Sequence, residues 1–270
     1  MMRPISVGAV LYDGKVSVIW EIIGRFFESK GVPIEVTFFS TYEELVTRLI
    51  EGSIQIAWNS PLAWLDAQHR SGSTCRAIAM RDTDRDRVSH LVGRTGQAPR
   101  SVAELRGLVL ALGAVDSPQA TLIPLGLLRQ AALEPGRDVT IRRFDVLVGK
   151  HGDHGGGELD AFRCLEQGEA AACAMLDRNW ERWTRDGTID PARFGVFATT
   201  PRFDHCVFTV RGDFGIEDER RWLKALFAMS YDEPAHREMM DLEGLKAWLP
   251  GRTTGFQALA SSVAAEGLFD

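Results

Sequence analysis

The stretch Gly52-Ser53-Ile54-Gln55-Ile56-Ala57-Trp58-Asn59-Ser60-Pro61-Leu62-Ala63 decides how this chain is read. It holds a helix stop, a strand and a helix start in succession. Gly52 ends a helical pattern whose apolar face is Leu45, Leu49 and Ile50. Residues 54–58 read as a short β-branched and aromatic strand, and residues 61–67 as a helix that begins at Pro61.

The same alternation continues outward in both directions. Upstream, Ile5–Val10 reads as a first strand, bounded by Tyr12-Asp13-Gly14. Residues 18–29 carry Ile19, Ile22, Ile23, Phe26 and Phe27 at a helical spacing, and Gly31-Val32-Pro33 stops them. Ile34–Phe39 is the second strand. Thr41 then caps a helix, with Glu44 three positions on as its capping-box partner. Downstream, residues 76–80 and 90–94 read as strands, followed by a loop over 95–100 that suits a passage between lobes.

A second α/β set occupies about residues 101–200. It comprises a short helix at Val102–Leu105, strands at Val109–Leu112 and 139–143, and a helix over 119–132. A helix over 159–166, a strand over 170–176 and a helix over 180–185 follow. Phe194–Thr199 and Val207–Val210 bracket a return crossing, and helices are expected over 216–229, 235–248 and 256–268. Parallel strands need crossover connections, so the expected class is α/β with helix-covered parallel or mixed sheets. The lobes are read as 1–95 plus 205–270, and 96–204.

Composition narrows the functions. The 270 residues are 45% hydrophobic and 25% charged, which is ordinary globular material. A net charge of −6 disfavours nucleic acid as a partner, since that role calls for a basic stripe. Most Arg residues lie among acids and read as solvated surface. No window of about 18 apolar residues exists, so no membrane span is expected. The start of the chain lacks the basic, apolar and small-residue order of a secretion signal, and as written it reads as cytoplasmic. A periplasmic chain trimmed at its N-terminus looks the same.

Several motifs are absent: no G-x-x-x-x-G-K-[ST] loop, no G-x-G-x-x-G after the first strand, and no G-x-S-x-G elbow to accompany His154-Gly155-Gly156-Gly157. Cys75, Cys164, Cys173 and Cys206 form no C-x-x-C pair. Three signals remain. Asp116-Ser117-Pro118-Gln119-Ala120-Thr121 joins a strand to a helix, where free N–H groups favour an anion; the plain alternative is that Ser117 only caps the helix.

Gly149-Lys150-His151-Gly152-Asp153-His154-Gly155-Gly156-Gly157 holds two His and an Asp that can bind a ligand or move protons, or can be incidental in a solvated loop. A metal on His151, Asp153 and His154 is the weakest option, for want of a helical H-x-x-x-H spacing, and no cofactor is implied. Third, Tyr12, Tyr42 and Asn59-Ser60 follow three strand ends, where open α/β sheets collect ligands. Trp58 and Trp64 fit lobe packing equally well, and Trp222, Leu226 and Met229 read as core.

With these segments in order, the chain resembles the solute-binding proteins of phosphonate-type ABC transporters. The segment 52–63 resembles their G-x-x-D-I-A-W-x-G-P-x-A, and 116–121 stands where they have D-P-x-S-x-S. His151 or His154 followed by Leu159-Asp160-Ala161 is similar to S-H-x-x-x-x-x-A, and 169–174 to G-x-x-D-A-G-A. The resemblance implies a type 2 periplasmic-binding-protein fold, with two α/β lobes, two hinge crossings and a central cleft that closes on a small anion. The ligand would be phosphonate-, phosphate- or carboxylate-like, with a transporter permease as partner if the protein is exported.

By position, the resemblance implies a cleft lined by Tyr12, Tyr42, Asn59, Ser60, Ser117, Gln119, Thr121, His151 or His154, and His205. Asp177 would receive a ligand amine. Gln119-Ala120 departs from the serine-rich cradle. That departure, and the missing signal, leave open a cytoplasmic lyase- or dehydratase-like enzyme of the same fold, with His151, His154 or His205 moving protons.

Overall fold

Strand β1 (Ile5–Val10) alternates its residues between two cores, as a strand buried on both faces must. Ile5, Val7 and Ala9 pack with Trp20, Phe27 and Trp222, while Val10 joins Tyr42, Leu45 and Leu49 on the other face. Gly8 also points to that second face. A Cβ there would lie 2.5 Å from both Ile54 and Leu45 side chains, so only glycine admits so close a covering. This is a computed structural model, which describes residues 3–153 and 155–269.

The remaining elements follow in chain order. The helix α1 (Gly14–Ser29) begins earlier than the apolar pattern alone suggests, because the Asp13 carboxylate caps it by accepting from Lys15 N–H. Then come β2 (Ile34–Phe39), α2 (Tyr42–Glu51), β3 (Ile56–Asn59), α3 (Pro61–Arg70) and β4 (Arg76–Arg81). Next are β5 (Ser89–Arg94), β6 (Val109–Leu112), α4 (Ile123–Gln130), β7 (Thr140–Arg143), α5 (Gly156–Glu166), β8 (Ala172–Leu176), α6 (Asp177–Arg185) and β9 (Phe194–Thr199). The chain ends with β10 (Val207–Val210), α7 (Ile216–Phe227), α8 (Pro234–Glu243), β11 (Trp248–Pro250) and α9 (Gln257–Glu266).

These elements form two units, each with its own sheet. The first runs Met1–Arg85 and Asp204–Phe256, with strand order β11-β4-β10-β3-β1-β2. The second runs Asp86–Phe203 and Gln257–Asp270, with order β7-β6-β8-β5-β9. One rule builds both sheets. Three parallel strands come from successive β–α steps, and the strand that follows a passage of the chain from the other unit inserts antiparallel beside the third. In the first unit that strand is β10, between β3 and β4; in the second it is β5, between β8 and β9.

The unit boundaries fall differently from the division at residues 95 and 205. Residues Ser89–Arg94 pair with β8 and β9, which places them in the second unit. A third passage, after Phe256, carries α9 to the second unit, where it packs on α4. Gly126 meets Ser262 there, and a Cβ would lie 2.3 Å from the Ser262 hydroxyl.

Two local expectations also change. The helix read over 235–248 stops at Glu243, because Gly244 turns left-handed (φ 73°) and Trp248 pairs with Arg81 as a strand. The helix read over 119–132 opens as a wider, π-helical turn over Pro118–Leu122. Pro124 has no N–H to offer the carbonyl of Ala120, and Gly113 N–H takes that carbonyl instead, at 3.2 Å.

Candidate ligand-binding site

In the first unit β1 lies between β2 and β3, parallel to both, so the carboxyl ends of three strands share one edge. Each end feeds a helix capped by a side chain. Asp13 caps α1; Thr41 Oγ1 caps α2 by accepting from Glu44 N–H at 3.2 Å; Ser60 Oγ caps α3 by accepting from Ala63 N–H at 3.1 Å. Glu44 reaches back to Ser40 N–H at 3.4 Å, one residue before the cap. Three helix N-termini, each the positive end of a helix dipole, thus gather on one edge.

The residues read as site candidates here are Tyr12, Tyr42, Asn59 and Ser60. Tyr12 is half-buried against the core of the first face, and Tyr42 is buried in that of the second. Asn59 is fully buried and donates from Nδ2 to Thr209 Oγ1 at 3.0 Å, while its Oδ1 has no hydrogen-bond partner. Trp58 and Trp64 are core residues, and so are Trp222, Leu226 and Met229.

The second unit repeats the arrangement with β6 between β7 and β8, again parallel. Its strand ends lead to the turn at Pro118, to α5 and to α6. Ser117 Oγ accepts from Ala120 N–H at 3.2 Å, and Thr121 Oγ1 donates to Gly113 O at 3.1 Å. Gln119 donates from Nε2 to Gly152 O at 3.2 Å, and its own carbonyl accepts from Ser89 Oγ at 2.6 Å. All three side chains are buried.

The glycine-rich loop covers Ser117 and Gln119. A Cβ on Gly152 would lie 2.3 Å from Ser117 Oγ and 2.8 Å from Gln119 Nε2, and its φ of +75° is one that glycine tolerates. The loop is held from below by the Asp116 carboxylate, which accepts from the backbone N–H of Gly149 and of His151. Burial raises the Asp116 carboxyl above its ordinary range despite those donors. His151 takes a left-handed conformation (φ 53°), and burial pushes its imidazole down to about 3. His154 lies outside the described residues. The Asp153 N–H donates to Lys150 O.

Glu158, in the first turn of α5, was not singled out by the sequence reading. It is 2% exposed, and burial lifts its carboxyl to about 7. Oε2 accepts from Leu176 N–H and Asn179 Nδ2, both at 2.8 Å, and Oε1 has no hydrogen-bond partner. Asp177, expected to meet a ligand amine, faces Arg87 Nη1 at 3.4 Å and accepts from Arg178 N–H. Glu in a first helical turn ordinarily reads as dipole compensation, and nothing local in the sequence says that β8 will cover it.

His205 belongs to the first unit. Its N–H donates to Asp84 O at 2.8 Å, and its Nδ1 lies 3.1 Å from Cys206 Sγ. The structure thus places one group of sequence candidates on the first unit's strand ends. A second group, Ser117, Gln119 and Thr121 with the loop of His151, lies on the second unit's. Among the described residues no helix is long and apolar enough to cross a membrane.

The two sheets, their shared building rule and their helix-lined strand ends define the class: a two-unit α/β solute-binding protein of the type 2 periplasmic-binding-protein fold. Residues 20–255 match the family described as ABC transporter, phosphonate, periplasmic substrate-binding protein, and the chain belongs to that family.

Solved structures agree on the fold. PhnD1 from Prochlorococcus marinus, in complex with methylphosphonate, superposes with a TM-score of 0.72 at 16% identity, covering 97% of this chain and 98% of that one. XAC2383 from Xanthomonas citri, bound to ATP, gives 0.74 at 16% identity over 98% of each chain. A putative sulfonate-binding SsuA of Methylobacillus flagellatus gives 0.67 at 14%, covering 99% of this chain and 88% of that one. An uncharacterized Haemophilus influenzae protein is 59% identical over 29 residues, which are 11% of this chain and 41% of that protein's length.

Proposed function

We propose that this protein binds one small oxyanion, phosphonate-, phosphate- or carboxylate-like, and releases it unchanged. The observation that carries the reading is the repeated one: in each unit, successive parallel strands deliver helix N-termini to a single sheet edge. Such an edge offers oriented N–H groups and partial positive charge without lysine or arginine. That suits a chain of net charge −6. The methylphosphonate and ATP held by two proteins of similar fold are oxyanions as well.

The reading includes hinge closure on the ligand, export, and a membrane permease as partner, all of which the family suggests. The proton-transfer alternative is not carried forward. The family matched is described as a substrate-binding one, which supports binding without turnover.

The test is a thermal-shift titration with methylphosphonate, phosphate, an alkanesulfonate and ATP, run on the native chain and on the Ser117→Ala/Thr121→Ala double variant. The native chain is expected to be stabilised by at least one of them, and the variant, checked for folding by circular dichroism, to lose most of that gain. Equal stabilisation of both proteins would remove the second unit's turn from the site.

A further inference from the structure

Three metal-ligating side chains from distant stretches meet inside the first unit, on the sheet edge where β3 and β4 end: Val207 of β10 pairs with Asn59, which sets His205 and Cys206 beside that edge. Asp84 is 1% exposed, Cys206 2% and His205 8%. One ligand atom from each lies within 4.8 Å of the other two. His205 Nδ1 stands 3.1 Å from Cys206 Sγ and 3.7 Å from Asp84 Oδ1. Both stretches flank points where the chain passes between units, after Arg85 and before Asp204. The backbone bond from His205 N–H to Asp84 O, 2.8 Å, fastens one to the other.

We propose that Asp84, His205 and Cys206 form a three-ligand site for a divalent transition-metal ion of the zinc or cobalt kind, with water completing the coordination. The site shares the first unit's strand-end edge with the proposed oxyanion site, but its donors are side chains rather than helix N–H groups, so metal binding without any oxyanion tests it separately. A thiolate, an imidazole and a carboxylate are a borderline-soft donor set, which selects against magnesium and calcium. Around a tetrahedral ion with bonds of about 2.0–2.3 Å, ligand atoms sit roughly 3.3–3.8 Å apart. The separation from Nδ1 to Sγ, 3.1 Å, falls just short of that span, the one to Asp84 Oδ1, 3.7 Å, lies within it, and all three atoms lie within 4.8 Å of one another. Binding would require these atoms to spread or close by a few tenths of an ångström to about one ångström.

Local charge points the same way. Arg81 is forked onto Asp84 (Nε to Oδ2 2.6 Å, Nη2 to Oδ1 2.7 Å) and also reaches Glu243 at 3.0 Å. One positive charge against two carboxylates leaves a net of −1. When the metal binds, the Cys206 S–H bond breaks, its proton passes to solvent and the metal–sulfur bond forms. No electron is transferred. The thiolate brings the net to −2, which a divalent ion neutralises.

Arg81 does not block the site, because each carboxylate oxygen has a second lone pair. An arginine behind a ligating carboxylate fixes its orientation, as outer-shell partners do in metal sites. The nearby Asp204 is already committed to Arg252, with both contacts at 2.6 Å, and is not counted as a ligand.

The experiment titrates chelator-stripped, full-length protein with Co²⁺ alone, followed by absorption and native mass spectrometry. The proposal predicts one equivalent bound, tetrahedral-type visible bands, and a near-ultraviolet thiolate-to-cobalt band. Cys206→Ser should abolish the near-ultraviolet band, and His205→Ala should weaken binding by about tenfold or more. Surface His69→Ala should change neither. Cys75, Cys164 and Cys173 are also free thiols, so the Cys206 variant decides which sulfur is involved; Cys206→Ala serves if the serine variant fails to fold. No saturable binding by the native protein would overturn the proposal. So would a thiolate band that survives loss of Cys206.

Discussion

At the scale of single residues, Glu158 and His151 make opposite statements about pH. The Glu158 carboxyl is raised from 4.5 to about 7 in the folded chain, mainly by burial. The folded state therefore holds its proton more tightly than the unfolded state does. Its contribution is complete below the unfolded value, and is lost as pH rises through about 7. The loss is on the order of 3 kcal/mol at most. Glu158→Gln should flatten the fall in melting temperature over that window, and an unchanged slope would contradict the assignment. His151 is lowered from 6.5 to about 3, so its contribution is present above 6.5 and is lost as pH falls through 3.

Gly152→Ala tests the packing of the loop itself. The added methyl would collide with Ser117 Oγ at a φ that alanine avoids. The variant should melt lower and show faster amide exchange at Ser117–Gln119; native-like exchange there would mean the loop does not cover the turn.

At the scale of elements, each helix start on the strand-end edges is a separable contribution. Ser60→Ala removes the side-chain cap of α3 and should cost about 1 kcal/mol. That is roughly 2–4 °C in melting temperature for a chain of this size, measurable by calorimetry. A variant as stable as the native chain would show that the cap hydrogen bond is not needed. Elements were the most legible part of this sequence, because apolar period and glycine or proline stops are local signals. The strand Ile34–Phe39 and the Thr41 cap could be read without the fold.

Less was legible where partners come from far along the chain. Gly244 stands inside a helical apolar pattern, and only the pairing of Trp248 with Arg81 makes it a stop. Ser89–Arg94 follows the first-unit strands in sequence but completes the second unit's sheet. The candidate site divides the same way. Ser117 and Tyr42 stood out by their place after strands, whereas the burial of Glu158 and the meeting of Asp84 with His205 depend on contacts no local pattern encodes.

At the scale of the whole molecule, the proposed recognition is by short-range N–H groups rather than by a field of basic side chains. Hydrogen bonds from N–H groups to an anion taken out of solvent are screened less than contacts between exposed charges. The dissociation constant for a bound oxyanion should therefore change by less than about threefold when ionic strength is raised to about 0.15 M. A steep loss with salt would instead indicate an arginine- or lysine-built site.

Isothermal titration calorimetry of the purified chain asks whether this family member binds a small oxyanion. The panel is methylphosphonate, phosphate, an alkanesulfonate and ATP, with an uncharged analogue as control. One site per chain is expected, with micromolar or tighter affinity for at least one of the anions and none for the control. Folded protein that takes up none of them, or takes up the uncharged analogue equally well, would contradict that expectation.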